Sequence, residues 1–215
     1  MKVKFCGITR IEDAHEAVRL GAWAIGLNHW PGSPRFVESG AVVEISAAVR
    51  RQLEVVGVFV NPTLDEVAHA AEDASLSMIQ LHGDEGLSFC QEVARRTGCK
   101  VIKALGVSSA ADVQAAAAFR VDYHLLDARR AGLRGGTGET FDWGLLAKRR
   151  SEVPLLLAGG LKPENVGEAI SVVRPFAVDV AGGVESAPGI KDHGLMAAFA
   201  ARAGVVAPQP RVPAQ

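Results

Sequence analysis

Two side chains are spaced for proton transfer. Cys6 ends the useful part of a short apolar run at the N-terminus, in Cys6-Gly7-Ile8-Thr9-Arg10, and Asp127 closes another at Tyr123–Asp127. A thiol becomes a base once ionised, and a carboxyl group can act as acid or base. If the two runs are strands of one sheet, a ligand lying between their ends could be protonated by one group and deprotonated by the other. Composition alone also allows Cys6 to be a small buried hydrophobe. Asp127 has less freedom, since an aspartate ending an apolar run needs a partner or a task.

Other residues suggest what that ligand carries. Arg35, in Ser33-Pro34-Arg35, offers a planar fork that matches a carboxylate. Gly159-Gly160 and Gly182-Gly183 follow two further apolar runs, and Gly135-Gly136-Thr137-Gly138 follows the run that ends in Asp127. Glycine lets the backbone approach a ligand closely, and N–H groups at such turns cradle phosphate. His29, His82 and Asp179 raise the question of a metal, but no close-spaced ligand pattern such as His-x-x-x-His occurs, so no metal is expected.

Apolar runs that could position these groups recur at Val3–Ile8, Ala24–Asn28, Val55–Val60, Met78–His82, Val101–Leu105, Tyr123–Asp127, Leu155–Ala158 and Ala177–Val180. Their nearly continuous apolar character suits parallel strands covered on the outside. Amphipathic stretches lie between them at Glu12–Leu20, Ser39–Gln52, Thr63–Ala74, Asp84–Arg96, Ser108–Phe119, Asp142–Arg149, Pro163–Ile170 and Asp192–Arg202. Thr63 with Glu66 is a capping box, and Pro163 suits a first helical turn. Eight strand–helix pairs at roughly 25 residues each predict a single-domain (β/α)8 TIM barrel over residues 1–204. A doubly wound sheet is the alternative, although no nucleotide fingerprint follows the first strand. Residues 205–215 hold three prolines and no periodicity, and read as a disordered C-terminal tail.

Bulk properties narrow the class. The 215 residues carry 23 basic and 24 acidic side chains, a net charge of -1. Neither a nucleic-acid partner nor an acidic solvating tail is expected from that balance. No run approaches the ~18 apolar residues of a membrane span, and the N-terminus lacks the apolar core of a signal peptide. Three cysteines without a Cys-x-x-Cys pair fit a reduced, cytoplasmic protein, with Cys90 and Cys99 structural. The compact size and lack of an obvious apolar patch favour a monomer, with a homodimer open.

The motifs in order resemble those of the phosphoribosylanthranilate isomerase family of tryptophan and aromatic amino-acid biosynthesis. Lys4-Phe5-Cys6-Gly7-Ile8-Thr9-Arg10 is similar to its opening signature, and Ser33–Val37, Gly57–Asn61, Gln80–Glu85, Gly135–Gly138, Phe141–Trp143, Leu157–Leu161, Pro163–Val166 and Pro188–Asp192 follow in register. The resemblance implies a cofactor-free, intramolecular aldose–ketose isomerisation of a small phosphorylated substrate. In that Amadori rearrangement N-(5-phosphoribosyl)anthranilate becomes 1-(2-carboxyphenylamino)-1-deoxyribulose 5-phosphate. It makes Asp127 the general acid and Cys6, as thiolate, the general base. It gives Arg35 the anthranilate carboxylate. The phosphate falls to Gly159, Gly160, Gly182, Gly183 and the loop containing Gly136, and His82 and Asp179 line the pocket. A thiolate base implies a Cys6 pKa lowered by its surroundings.

Two departures from the family pattern stand out. Ala181-Gly182-Gly183-Val184-Glu185 replaces the usual Ser-Ser-Gly-Val-Glu, and Asn28-His29-Trp30 replaces apolar or aromatic residues. A metal-dependent pentose-phosphate epimerase would need His-x-Asp where His29-Trp30-Pro31 stands. A binding module without catalysis would need neither Cys6 nor Asp127. Acceptance of the related histidine-pathway aminoaldose stays open.

Overall fold

The computed structural model describes residues 1–128, 143–147 and 149–205. Alternation of side chains along short apolar strands shapes it. Eight parallel strands, β1 (Lys2–Cys6), β2 (Ala24–Asn28), β3 (Glu54–Phe59), β4 (Met78–Leu81), β5 (Lys100–Val107), β6 (Tyr123–Ala128), β7 (Leu155–Ala158) and β8 (Ala177–Val180), close into one barrel. The closing seam pairs β1 with β8 and sets Lys4 opposite Asp179. Three predicted strands, β2, β7 and β8, keep their sequence-read bounds, and the others shift by one or two residues at an end.

Successive residues of each strand face opposite ways. Val3, Phe5, Ile25, Leu27, Val55 and Ile79 belong to the outer core beneath the helices. Ala24, Val56, Met78, Ile102, Leu125, Leu156 and Ala177 form a second core inside the barrel. Trp23, Tyr123 and Phe176 pack edge to face or tilted at the strands' N-terminal ends, with centroids 5.4–5.6 Å apart. Lys2 places its ammonium 4.2 Å from the Phe176 ring centroid. The bottom is therefore plugged by aromatic rings, and polar groups are left to the C-terminal mouth.

The outer layer holds α1 (Ile11–Arg19), α2 (Ser39–Val49), α3 (Leu64–Asp73), α4 (Leu87–Thr97), α5 (Ala110–Ala116), α6 (Gly144–Ala147), α7 (Val166–Val173) and α8 (His193–Arg202). The Thr63 capping box forms as expected: its hydroxyl accepts from the Glu66 N–H at 3.2 Å, and Glu66 accepts from the Thr63 N–H at 2.6 Å. Most expected helix starts shift by one or two residues, and two shift by three. α4 begins after Glu85, not at Asp84, because the Glu85 carboxylate turns back to accept N–H bonds from Asn61 and Gly83. Pro163 lies in the turn before α7, where the Asn165 side chain accepts from the Lys162 N–H and donates to the Gly160 carbonyl. After β8 come a short 3-10 helix, Gly182–Val184, and an antiparallel ribbon of β9 (Glu185–Ala187) and β10 (Ile190–Lys191). Val205 lies past the end of α8 but is tied back to it, its N–H bonding the Ala200 carbonyl at 3.0 Å. The rest of the predicted tail, 206–215, lies outside the described residues, as does the Gly135–Gly138 loop with Gly136. Among the described residues no helix is long and apolar enough to cross a membrane.

Candidate functional site

The inward register of β1 carries Lys4 and then Cys6 toward the mouth. Lys4 is fully buried and its ammonium donates to Asp179 Oδ1 at 2.7 Å. Cys6 pairs with Gly26 of β2. A Cβ on Gly26 would lie 2.8 Å from the Cys6 sulfur and 3.1 Å from the Lys4 nitrogen, so the missing side chain makes room for both. Burial pushes the Cys6 thiol above its ordinary pKa. Lys4 pulls it back more strongly than Asp179 pushes it up, and Lys191 also lowers it. This corrects the expectation of a lowered thiol: desolvation outweighs the nearby cations. The Lys4 ammonium, though disfavoured by burial, is held above its ordinary range by Asp179 and Cys6.

Asp127 rises from the inward face of β6, between Gly106 of β5 and Ala158 of β7 in register. Its Oδ2 lies 3.9 Å from Nε2 of His82, which comes from the end of β4. The Gln80 amide nitrogen is 3.2 Å from His82 Nδ1. With that amide donating, a neutral His82 carries its hydrogen on Nε2, the nitrogen nearer Asp127. The His82 turn is braced from below. Buried Lys103 of β5 bonds Glu85 Oε2 at 2.6 Å and the Gly83 carbonyl at 2.7 Å.

Arg35 reaches the mouth from the loop after β2. Its stem crosses Gly7, where a Cβ would sit 2.4 Å from Arg35 Cδ and where φ is +72°. One edge of its guanidinium is already engaged: Nε and Nη2 meet the two Glu185 oxygens at 2.8 and 2.6 Å. Asn28 supports the same loop. Its amide donates to Ser33 Oγ at 3.0 Å, and that oxygen accepts from the Arg35 N–H at 3.1 Å. Glu185 also receives the buried ammonium of Lys191 at 2.7 Å, while Lys191 caps the carbonyls of Cys6 at 2.6 Å and Ala181 at 3.2 Å. Burial would raise the Glu185 carboxyl, but Arg35 and Lys191 outweigh it and hold it below the usual carboxylate range. Burial leaves the Lys191 ammonium below its ordinary range despite Glu185.

The glycine loops meet each other. Gly159 and Gly160 take φ of +93° and +62°, where side-chain-bearing residues are rare. A Cβ on Gly183 would stand 1.9 Å from the Leu161 carbonyl oxygen, so the loops after β7 and β8 touch backbone to backbone. Gly182 sits elsewhere: its Cβ would be 3.3 Å from Arg35 Nη2. Gly182 thus borders the arginine, while Gly183 borders Leu161 and Lys162, in the loop that Gly159 and Gly160 open.

Sequence reasoning therefore located Cys6, Asp127, Arg35, His82 and Asp179 at one barrel end. It did not find their pairings with Lys4, Glu185 and Lys191, nor that of Glu85 with Lys103. A lysine two residues before Cys6 on an otherwise apolar strand was the available signal for Lys4, since period two puts both on one face. His29, weighed as a metal ligand, faces away: its ring stacks on Phe59 with centroids 4.4 Å apart. Among the described residues no group of three or more His, Cys, Asp or Glu is placed to hold a metal. A cavity of about 700 Å³ lined by Cys90, Arg120, Asp122, Arg150 and Glu152 lies at the strands' N-terminal ends. It is remote from Cys6 and Asp127, and barrels of this kind work at the other face.

Comparisons with known proteins agree with this geometry. Residues 3–202 match the family described as N-(5'phosphoribosyl)anthranilate (PRA) isomerase. A Magnetococcus marinus N-(5'-phosphoribosyl)anthranilate isomerase is 45% identical over 201 residues, 94% of each chain. The crystal structure of phosphoribosyl anthranilate isomerase from Thermotoga maritima superposes with a TM-score of 0.89 at 42% identity, covering 95% of this chain and 98% of that one. Another isomerase structure, in complex with reduced 1-(o-carboxyphenylamino)-1-deoxyribulose 5-phosphate, gives 0.84 at 40% identity over 95% and 98% of the two chains.

Proposed function

The chain belongs to the N-(5'-phosphoribosyl)anthranilate isomerase family, and from that premise we propose that Cys6 and Asp127 are the base and acid of its Amadori rearrangement. The reaction is the cofactor-free aldose–ketose isomerisation of tryptophan biosynthesis, acting on a phosphorylated small molecule. The observation that carries the assignment of roles is the placing of a thiol and a carboxyl group on inward positions of β1 and β6, at one mouth.

In the first step Asp127 gives its proton to the furanose ring oxygen. The C1–O bond breaks, and the anthranilate nitrogen lone pair closes a protonated Schiff base. Cys6, as thiolate, then takes the C2 proton. The C–H electron pair becomes the C1–C2 double bond, and the Schiff-base nitrogen recovers its lone pair. The enolamine tautomerises to the ketone. His82, beside Asp127, is placed to orient that carboxyl group during the first transfer.

The ends of the substrate divide between the two sides of the mouth. Arg35 still has a guanidinium edge not engaged by Glu185, and that edge takes the anthranilate carboxylate. Gly159, Gly160 and Gly183, with Gly136 in a loop outside the described residues, enclose the phosphate. Gly182, next to the arginine, shapes the carboxylate side. With no hydroxyls at Ala181 and Gly182, the phosphate donors are the backbone N–H groups of Gly159, Gly160 and Gly183. Asp179, bound to Lys4, lines the floor.

The test is turnover of freshly prepared N-(5-phosphoribosyl)anthranilate followed by loss of its fluorescence, with and without chelator. Cys6→Ser and Asp127→Asn should each reduce kcat by about 10²-fold or more, in the range for loss of a general acid or base, with circular dichroism unchanged. Near-normal kcat in either variant removes that residue from the mechanism. Activity abolished by chelator would sink the metal-free reading.

A further inference from the structure

A fully buried lysine needs a reason. Removing an ammonium ion from water costs several kcal/mol, and an apolar pair of equal volume in place of a buried ion pair is often as stable. Lys103 and Lys191 each tie down loop carbonyls as well as a carboxylate. Lys4 differs. Among the described residues its hydrogen bond goes to a single carboxylate, Asp179, and no loop carbonyl depends on it. Its other neighbour is the sulfur of Cys6, next along the same inward face of β1. Gly26 opens a space that both approach within 2.8 and 3.1 Å of one point.

We propose that Lys4 is a positioning residue for the reaction: its ammonium, held in place by Asp179, stands against the Cys6 sulfur and stabilises the thiolate that removes the C2 proton. This rests on the reading of Cys6 as the base. The balance of charge supports it. The groups facing Cys6 are Lys4 from β1, Asp179 from β8, Lys191 from β10 and Arg35 from the loop after β2, with Glu185 behind the last two. Burial disfavours the thiolate, and Lys4 is the largest influence in the opposite direction. Lys191 is more distant in effect, because its donors are directed to Glu185 and to the backbone carbonyls of Cys6 and Ala181. Asp179 then acts through Lys4. It keeps the lysine charged in a dry interior and directs its nitrogen toward the sulfur. During C2 deprotonation the C–H bond breaks and an S–H bond forms, while Lys4 and Asp179 keep their charges. The cation therefore favours the reactive state before transfer without itself exchanging a proton.

The experiment compares Lys4→Met and the double variant Lys4→Met/Asp179→Asn with the parent chain. The double variant leaves no lone buried charge, so it reports on the thiol even if the single one fails to fold. Two readouts are taken: the pH dependence of kcat/KM, and the pH midpoint of Cys6 alkylation by iodoacetamide, resolved by peptide mass spectrometry with Cys90 and Cys99 as internal references. The expected result is that both midpoints rise by about one pH unit or more, with kcat/KM near neutrality falling about tenfold or more, since one unit is a factor of ten in thiolate population. A lysine that merely balances Asp179 would leave the Cys6 midpoint of the double variant where it is in the parent, and that overturns the proposal. If Cys6→Ser stays active, the acid–base reading fails instead, whatever the alkylation shows.

Discussion

At the scale of single residues, Arg35 bears a load that the sequence does not suggest. Its Nε–Nη2 edge is closed by Glu185 in bidentate geometry, with the guanidinium about a quarter exposed and the carboxylate almost wholly buried. A substrate carboxylate must therefore use the remaining edge, with Glu185 fixing the plane of the fork. Charge-assisted hydrogen bonds of this kind are worth roughly 1.5–3 kcal/mol. Arg35→Ala should raise KM by about 10- to 100-fold with a smaller loss of kcat, and Arg35→Lys should restore little, because an ammonium cannot serve Glu185 and a ligand in one plane. Steady-state kinetics decide it, and an unchanged KM takes Arg35 out of the site. His29 makes a separate prediction. Burial lowers its pKa from 6.5 to about 4, and its buried Nε2 has no hydrogen-bond partner among the described residues. The folded state holds it neutral, whereas the unfolded chain binds its proton nearer 6.5. Its contribution is complete above pH 6.5 and is lost as pH falls from there toward 4, amounting to about 3 kcal/mol. Urea unfolding across that window should show a shallower decline in His29→Phe than in the parent; equal slopes would mean the ring is not desolvated in the fold.

At the scale of elements, the contact between the loops after β7 and β8 has a sharp consequence. At Gly183 a methyl group would enter the Leu161 carbonyl at 1.9 Å and approach Lys162 Cα at 3.2 Å, both backbone atoms that cannot swing aside. At Gly160 the same methyl would meet nothing within 4 Å, and only its φ of +62° resists. Gly183→Ala should therefore cost about 1–3 kcal/mol, as overpacking does, and raise KM by spreading the phosphate loops. Gly160→Ala should cost about 1 kcal/mol from backbone strain alone. Chemical denaturation of both variants checks the order, and a reversal would show that these loops do not bear on each other. The same elements show what a sequence can reveal. Strand positions were legible because short, nearly continuous apolar runs rich in β-branched residues are a local signal, and the Thr63–Glu66 box was legible because its two halves lie three residues apart. The starts of α4 and α7 were not. They depend on Glu85 reaching Asn61, 24 residues away in sequence, and on Asn165 bridging Lys162 and Gly160 within a turn that local propensity reads as helix. In the site, glycines and strand-end residues were visible as types. The pairings Lys4–Asp179 and Arg35–Glu185 were not, since each joins the two edges of the sheet that meet only on closure.

At the scale of the whole molecule, that closure is what holds the site. Lys4–Asp179 and the Lys191 bonds to Cys6 and Ala181 all straddle the β1–β8 seam, whereas Lys103–Glu85 lies on the opposite wall beneath His82. The seam also brings Met1 to the turn that ends α8: the Met1 amino group donates to the Gly204 carbonyl at 3.2 Å. If the barrel is specified by side-chain pairings rather than by the order in which strands are joined, the covalent break can be moved. A circular permutant would link Val205 to Met1 through a short Gly/Ser segment in place of residues 206–215. It would begin at Gln52 and end at Arg51, in an exposed turn after α2 at the strands' N-terminal side. Every group named in the site stays on its own strand, and the new ends fall on the face away from the mouth. Exposed turns of this kind tolerate such breaks, and the closeness of Met1 to Gly204 makes the linker short. The permutant should keep kcat/KM within about threefold of the parent and lose about 1–2 kcal/mol in urea, on the scale of an ordinary destabilising point mutation. A permutant with native helix content but no near-ultraviolet dichroism and no turnover would mean that the seam forms only when β1 is the free first strand, and that the Lys4 and Lys191 contacts are products of that order rather than its cause.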